Sequence, residues 1–166
     1  MTTFVTFAPS ATVPFSFQPK LDGAQYQAVI TWGLAGQRWY VNLYDQTGNL
    51  IFYLPVIGSP TAIQTASLSW SGVQNLVTVT TAVPHGIPPG LTVELTVVGV
   101  LPMAYNGIWD MFSTAPSTLT FPLATDPGSD ATVNGNIGRD INIAGGYFKT
   151  STLVFREATQ QFEVTP

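Results

Sequence analysis

His85 is the only histidine in the chain, and histidine is the residue type most often used as a general base. It sits in Val83-Pro84-His85-Gly86-Ile87-Pro88-Pro89-Gly90, a turn-dense run. Catalysis would need a nucleophile or an orienting carboxylate beside it in the fold. The surroundings favour a plainer role, an imidazole that hydrogen-bonds to loop backbone and fixes the turn. A zinc site built on one His and no Cys would need mostly carboxylate ligands, so none is expected. Asp126 and Asp130 flank Pro127-Gly128-Ser129 and could share a calcium ion with loop carbonyls. The spacing lacks the dense oxygen-ligand pattern of an EF-hand loop, which favours a solvated turn. Glycoside hydrolysis needs two carboxylates facing each other across a cleft, and nothing in the spacing of Asp22, Asp45 or Glu94 supports that. Gly145-Gly146 precedes Tyr147-Phe148-Lys149-Thr150 without a GxxxxGK[ST] pattern or a following helix, so it reads as a backbone bend and not a phosphate cradle. The reading is of a non-enzyme with no cofactor and no metal.

Composition narrows the class further. Of 166 residues 45% are hydrophobic, enough for a sizeable core, while only 8% are charged. An average soluble domain carries roughly 25% charged residues. Fifteen Gly, thirteen Pro and many Thr suggest an all-β chain. The net charge of −4 argues against nucleic-acid binding, which needs cations to displace phosphate counterions. The absence of Cys removes disulfides and thiolate chemistry. The N-terminus has no basic region before its apolar residues and carries Pro9 and Pro14, so no secretory signal is expected. Residues 46–85 hold no Lys, Arg, Asp or Glu, but Pro55, Gly58, Pro60, Gln64 and Gly72 break any membrane-length apolar run. A soluble protein, made without export and without membrane partners, is the expectation.

Period-two alternation marks half-buried strands. Tyr26, Ala28, Ile30 and Trp32 share one face; Trp39, Val41 and Leu43 share another, with Tyr40, Asn42 and Tyr44 opposite. Turns are expected at 33–36 and 45–49, and a third strand at 50–54, giving an antiparallel meander. Further strands are expected at 76–81, 91–98, 107–112, 119–123 and 132–137, separated by turn-rich pieces. The stretch 67–138 contains Glu94, Asp110, Asp126 and Asp130 and no Lys or Arg, whereas the flanks balance at five basic and five acidic residues. The expected organisation is a meander or barrel-like host β-domain, 1–65 plus 139–166, interrupted by an acidic β-sandwich or β-barrel module at 66–138.

Trp32, Trp39, Tyr40, Tyr44, Phe52 and Tyr53 crowd one meander and fall on both of its faces. One face must be core; the other is either covered by the C-terminal strands or is a protein–protein interface, where Tyr and Trp are enriched. A sugar-binding platform is a weaker third reading. Low charge favours a subunit whose surface is covered in an assembly.

The host runs FSFQPKLDGAQYQAVITW, QRWYVNLYDQTGNLIFYLPVIGSP and LVFREATQQFEV resemble the small baseplate plug proteins of tailed bacteriophages, called ripcords in some contractile-tail phages. The matching features are Leu21-Asp22-Gly23, the aromatic strand ending at Trp32, Trp39-Tyr40 leading to Tyr44-Asp45, Gly48-Asn49 and Phe162-Glu163. The middle segment is similar to a short β-module inserted in phage tail and fibre proteins. Its landmarks are Pro84-His85-Gly86, Val98-Gly99-Val100, Tyr105-Asn106-Gly107 and Thr120-Phe121. The resemblance implies a structural virion protein at the tail baseplate, made in the host cytoplasm. It would self-associate as a trimeric or hexameric ring and bind hub, spike and tail tube proteins. On this reading Trp32, Trp39, Tyr40, Tyr44 and Tyr53 make the contacts, Arg38 and Arg156 set polar register, and exposed strand edges pair with neighbours. The alternative is a carbohydrate-binding virion module that recognises the host cell surface through exposed Trp109 and Tyr105.

Overall fold

The structure is a computed structural model that describes residues 1–10, 12–56 and 62–166. The end of the second resembling run, 57–60, lies outside the described residues. Before the insertion come β1 (Thr3–Thr6), β2 (Phe15–Phe17), β3 (Lys20–Leu21), β4 (Ala24–Gln25), β5 (Gln27–Gly33), β6 (Arg38–Tyr44) and β7 (Leu50–Val56). The insertion holds β8 (Ile63–Ser71), β9 (Leu76–Thr81), β10 (Thr92–Val98), β11 (Gly107–Ala115), β12 (Thr118–Pro122) and β13 (Asn136–Gly138). After it come β14 (Asp140–Asn142), β15 (Thr152–Arg156) and β16 (Gln161–Thr165). The all-β, antiparallel expectation holds. The chain divides into two compact units, Met1–Thr61 with Asp140–Pro166, and Ala62–Arg139. The first boundary falls earlier than the expected 65 because Ile63 already belongs to a barrel strand and pairs with Ile137.

The host unit is two four-stranded sheets, β2-β5-β6-β7 and β1-β16-β15-β14, with a small β3-β4 hairpin. The meander expected from alternation is the run β5-β6-β7. Its inward side chains Ala28, Ile30, Val41 and Leu43 share one core with Leu153, Phe155, Phe162 and Val164 of the other sheet. Alternating residues on each strand thus fill a two-sheet core, as sandwich geometry requires. Phe7 sits in its centre, touching Phe15, Trp39, Phe155 and Phe162 edge-on at centroid distances of 5.5–5.8 Å. Its amide donates to the Gln160 carbonyl at 2.9 Å, which ties the N-terminal segment to the β15–β16 turn.

Asp22 and Gly23 form the β3–β4 turn with positive φ of 47° and 81°, the geometry that Asp-Gly favours. The Asp22 carboxylate accepts the amides of Lys149 (2.7 Å), Thr150 (3.0 Å) and Ser151 (3.0 Å) and the Thr150 hydroxyl (2.9 Å). These donors, the Lys149 amide foremost, hold its pKa well below the usual carboxylate range. A folded pKa below the unfolded value near 3.8 adds stability above that pH, and this is lost as pH falls through the folded value. Asp22→Asn is therefore expected to lower the melting temperature by several degrees at pH 7. Melting curves taken at decreasing pH should show the gap to wild type closing below about pH 4.

The inserted unit is a closed six-stranded barrel in the order β10-β11-β12-β9-β8-β13. Closure leaves it no sheet edge. Its core gathers Leu68, Val77, Val79, Leu95, Val97, Met111, Leu119, Phe121 and Ile137. Four of the five expected strands recur with small boundary shifts, whereas 132–137 contributes only Asn136–Gly138, preceded by an isolated Leu101–Val133 bridge.

Candidate protein–protein interface

His85, Asp126, Asp130 and Asp45 each bond to the backbone or side chains of the segments around them. The buried His85 accepts the Ile87 amide at Nδ1 (3.1 Å) and donates from Nε2 to the Ala115 carbonyl (2.9 Å). That pattern fixes the 83–90 loop onto the β11–β12 turn. Asp126 accepts the Gly128 amide at 2.7 Å, and Asp130 accepts the Trp70 amide at 3.3 Å. Asp45 caps its turn through Thr47 and Asn49, chiefly the Thr47 hydroxyl, and these donors lower its pKa to about 2. Among the described residues no three His, Asp or Glu side chains gather into a metal-binding cluster, and no helix is long and apolar enough to cross a membrane.

The sugar-platform residues of the insertion are placed otherwise than expected. Tyr105 is fully buried, its hydroxyl donating to the Ser129 carbonyl at 2.9 Å. Burial pushes its pKa up. The Trp109 indole stacks on Phe121 at 4.7 Å and donates its N–H to the Tyr105 carbonyl. Both rings therefore belong to the barrel's packing, and neither is an open stacking surface.

The meander keeps its aromatics on both faces. On the inward side Trp39 packs on Phe7 and Trp32 meets Trp39 edge-on at 5.2 Å. Trp39 is therefore chiefly a core residue, with one edge at the surface. Val13, Pro14, Trp32, Leu34 and Trp39 line a groove of about 280 Å³ at the end of the β5–β6 hairpin. Leu34 at the hairpin tip is 84% exposed, an apolar turn residue that the sequence reading passed over.

On the outward side, cross-strand pairing aligns Thr31 with Tyr40 and Pro55, and Val29 with Asn42 and Tyr53. Tyr40 and Tyr53 stack at 4.6 Å with an interplanar angle of 7°. The Tyr40 ring lies over Gly33 and Gly36, where any Cβ would collide with it. Asn42 donates to the Val29 carbonyl at 3.1 Å, so the polar centre of this face is satisfied internally. Arg38 stands at its end, exposed, with Nε donating to the Gly36 carbonyl at 3.1 Å. Tyr44 lies half-buried on the same face. The C-terminal strands cover the opposite, core side of this sheet only.

Arg156 stands apart from this group, on the other sheet. Its guanidinium pairs with Asp140 and, through Nε (2.9 Å) and Nη2 (2.8 Å), with Glu163. It ties β14, β15 and β16 together, a structural use of the cation that was expected to set register with a neighbour. Comparison with known proteins finds no matching family model, curated protein or solved structure.

Proposed function

We propose that the chain is a non-enzymatic structural subunit of a tailed-phage baseplate, of the plug or ripcord type. It assembles as a ring at the tube end and binds hub, spike and tail tube proteins in the virion. The observation that carries this reading is the outer face of β5–β6–β7, with its stacked Tyr40 and Tyr53, Tyr53 being 52% exposed. Leu50, opposite Tyr44, is also exposed on β7, an edge strand with no charged residue and no second partner strand among the described residues. A face of this kind on a chain with 8% charged residues suits burial against protein. The resemblance of the host runs to plug proteins supplies the location. Pro55 removes a backbone donor from β7, so side-chain packing on the face serves better than strand addition.

Gold-labelled antibody against the chain should mark the distal end of the tail in intact particles; label on the capsid, or none, contradicts the reading. Tyr53→Ser should weaken self-association about tenfold, as loss of an interface tyrosine does. Its melting temperature should stay close to wild type, because the ring is outside both cores.

A further inference from the structure

From the outer face of β10 and β11 we infer that a second copy of this chain docks there, presenting Arg38 and the apolar and tyrosine side chains around it. The inference rests on the self-associating reading above and names the two surfaces that meet. Glu94 lies directly opposite Asp110 in the β10–β11 register, and both are exposed on the same outer face. Neither has a hydrogen bond or ion pair among the described residues. Like charges directly opposite across strands destabilise a sheet. The next residues on that face of β11 are Ile108 and Phe112, 56% and 43% exposed. Unrelieved negative charge and bare apolar surface thus coincide on one patch. A cation set among apolar groups would relieve both.

Arg38, at the end of the tyrosine-bearing face, is such a group. Arg156 is held by two carboxylates of its own sheet. Arg38 uses Nε on a carbonyl, its two Nη nitrogens have no partner among the described residues, and it stands at the end of the face that carries the Tyr40–Tyr53 stack. A guanidinium presents a planar fork of donors that can serve two neighbouring carboxylates at once. Because each copy offers two different surfaces, the contact is heterologous, and such contacts close into rings when the rotation allows.

Charge reversal of the full-length chain, followed by sedimentation equilibrium, tests the pairing. Arg38→Glu alone, and Glu94→Lys with Asp110→Lys, should each raise the dissociation constant about tenfold or more. A chain carrying all three changes should return to near the wild-type value. Glu94→Gln with Asp110→Asn should weaken association while melting no lower than wild type, since it removes a repulsion; this separates docking from misfolding. Association indifferent to the reversals, or weakened without rescue, overturns the inference and leaves the ring reading standing. A wild-type chain that stays monomeric overturns both.

Discussion

Phe7→Ala is expected to destabilise the host unit by about 4 kcal/mol, the scale of a fully packed aromatic truncated to alanine. Phe7 is 5% exposed and makes four edge-on ring contacts that bridge β2 and β6 on one sheet to β15 and β16 on the other. Such ring pairs add to the loss of buried area. No neighbour can swing into the space, because Phe15, Phe155 and Phe162 already pack on one another or on Phe17. Hydrogen exchange reads the effect locally. Amides of β15 and β16 should lose roughly a thousandfold protection, the equivalent of that energy at about 1.4 kcal/mol per decade. Protection within tenfold of wild type would show that the two sheets cohere without this ring.

Gly135→Ala should cost the barrel about 3 kcal/mol, at the upper end of what overpacking does. A Cβ at this position would run into the Val98 carbonyl oxygen and lie 2.9 Å from the Gly99 carbonyl carbon and from Val100 Cγ2. The strand cannot retreat. Gly135 donates its amide to Thr65 Oγ1 at 2.9 Å and accepts the Thr65 amide at 2.9 Å, bonds that begin the β8–β13 pairing and so the closure. Thr65→Ala removes the hydroxyl, and with it the Gly135 amide's acceptor, without adding an atom, and should cost only about 1–2 kcal/mol. Chemical denaturation of the two variants separates the contributions; equal losses would mean that the close approach is not what limits position 135.

What the sequence displayed and what it hid follow from period and range. β5, β6 and β9 alternate without interruption, and their residues stand where alternation put them. β8 escaped notice because a register shift between Thr65 and Ser67 changes the phase of its inward residues. Phe7 lies beyond the end of β1 in irregular backbone, and an aperiodic position gives no pattern to read. Asp22 was visible as part of a motif, but its role depends on amides more than 120 residues away. The Glu94–Asp110 juxtaposition is likewise a matter of register, sixteen positions apart in sequence and adjacent only once β10 and β11 pair. For the interface residues, residue type pointed to the meander, whereas core and surface could be told apart only after the second sheet was placed. Trp39 and Arg156 changed roles for that reason.

Assembly is the claim on which the functional account turns, and the mass of the native particle tests it most directly. Native mass spectrometry of the purified wild-type chain should find a closed oligomer, three or six times the 17.8 kDa subunit, that loosens as salt rises. A single 17.8 kDa species that persists as concentration is raised would contradict the account.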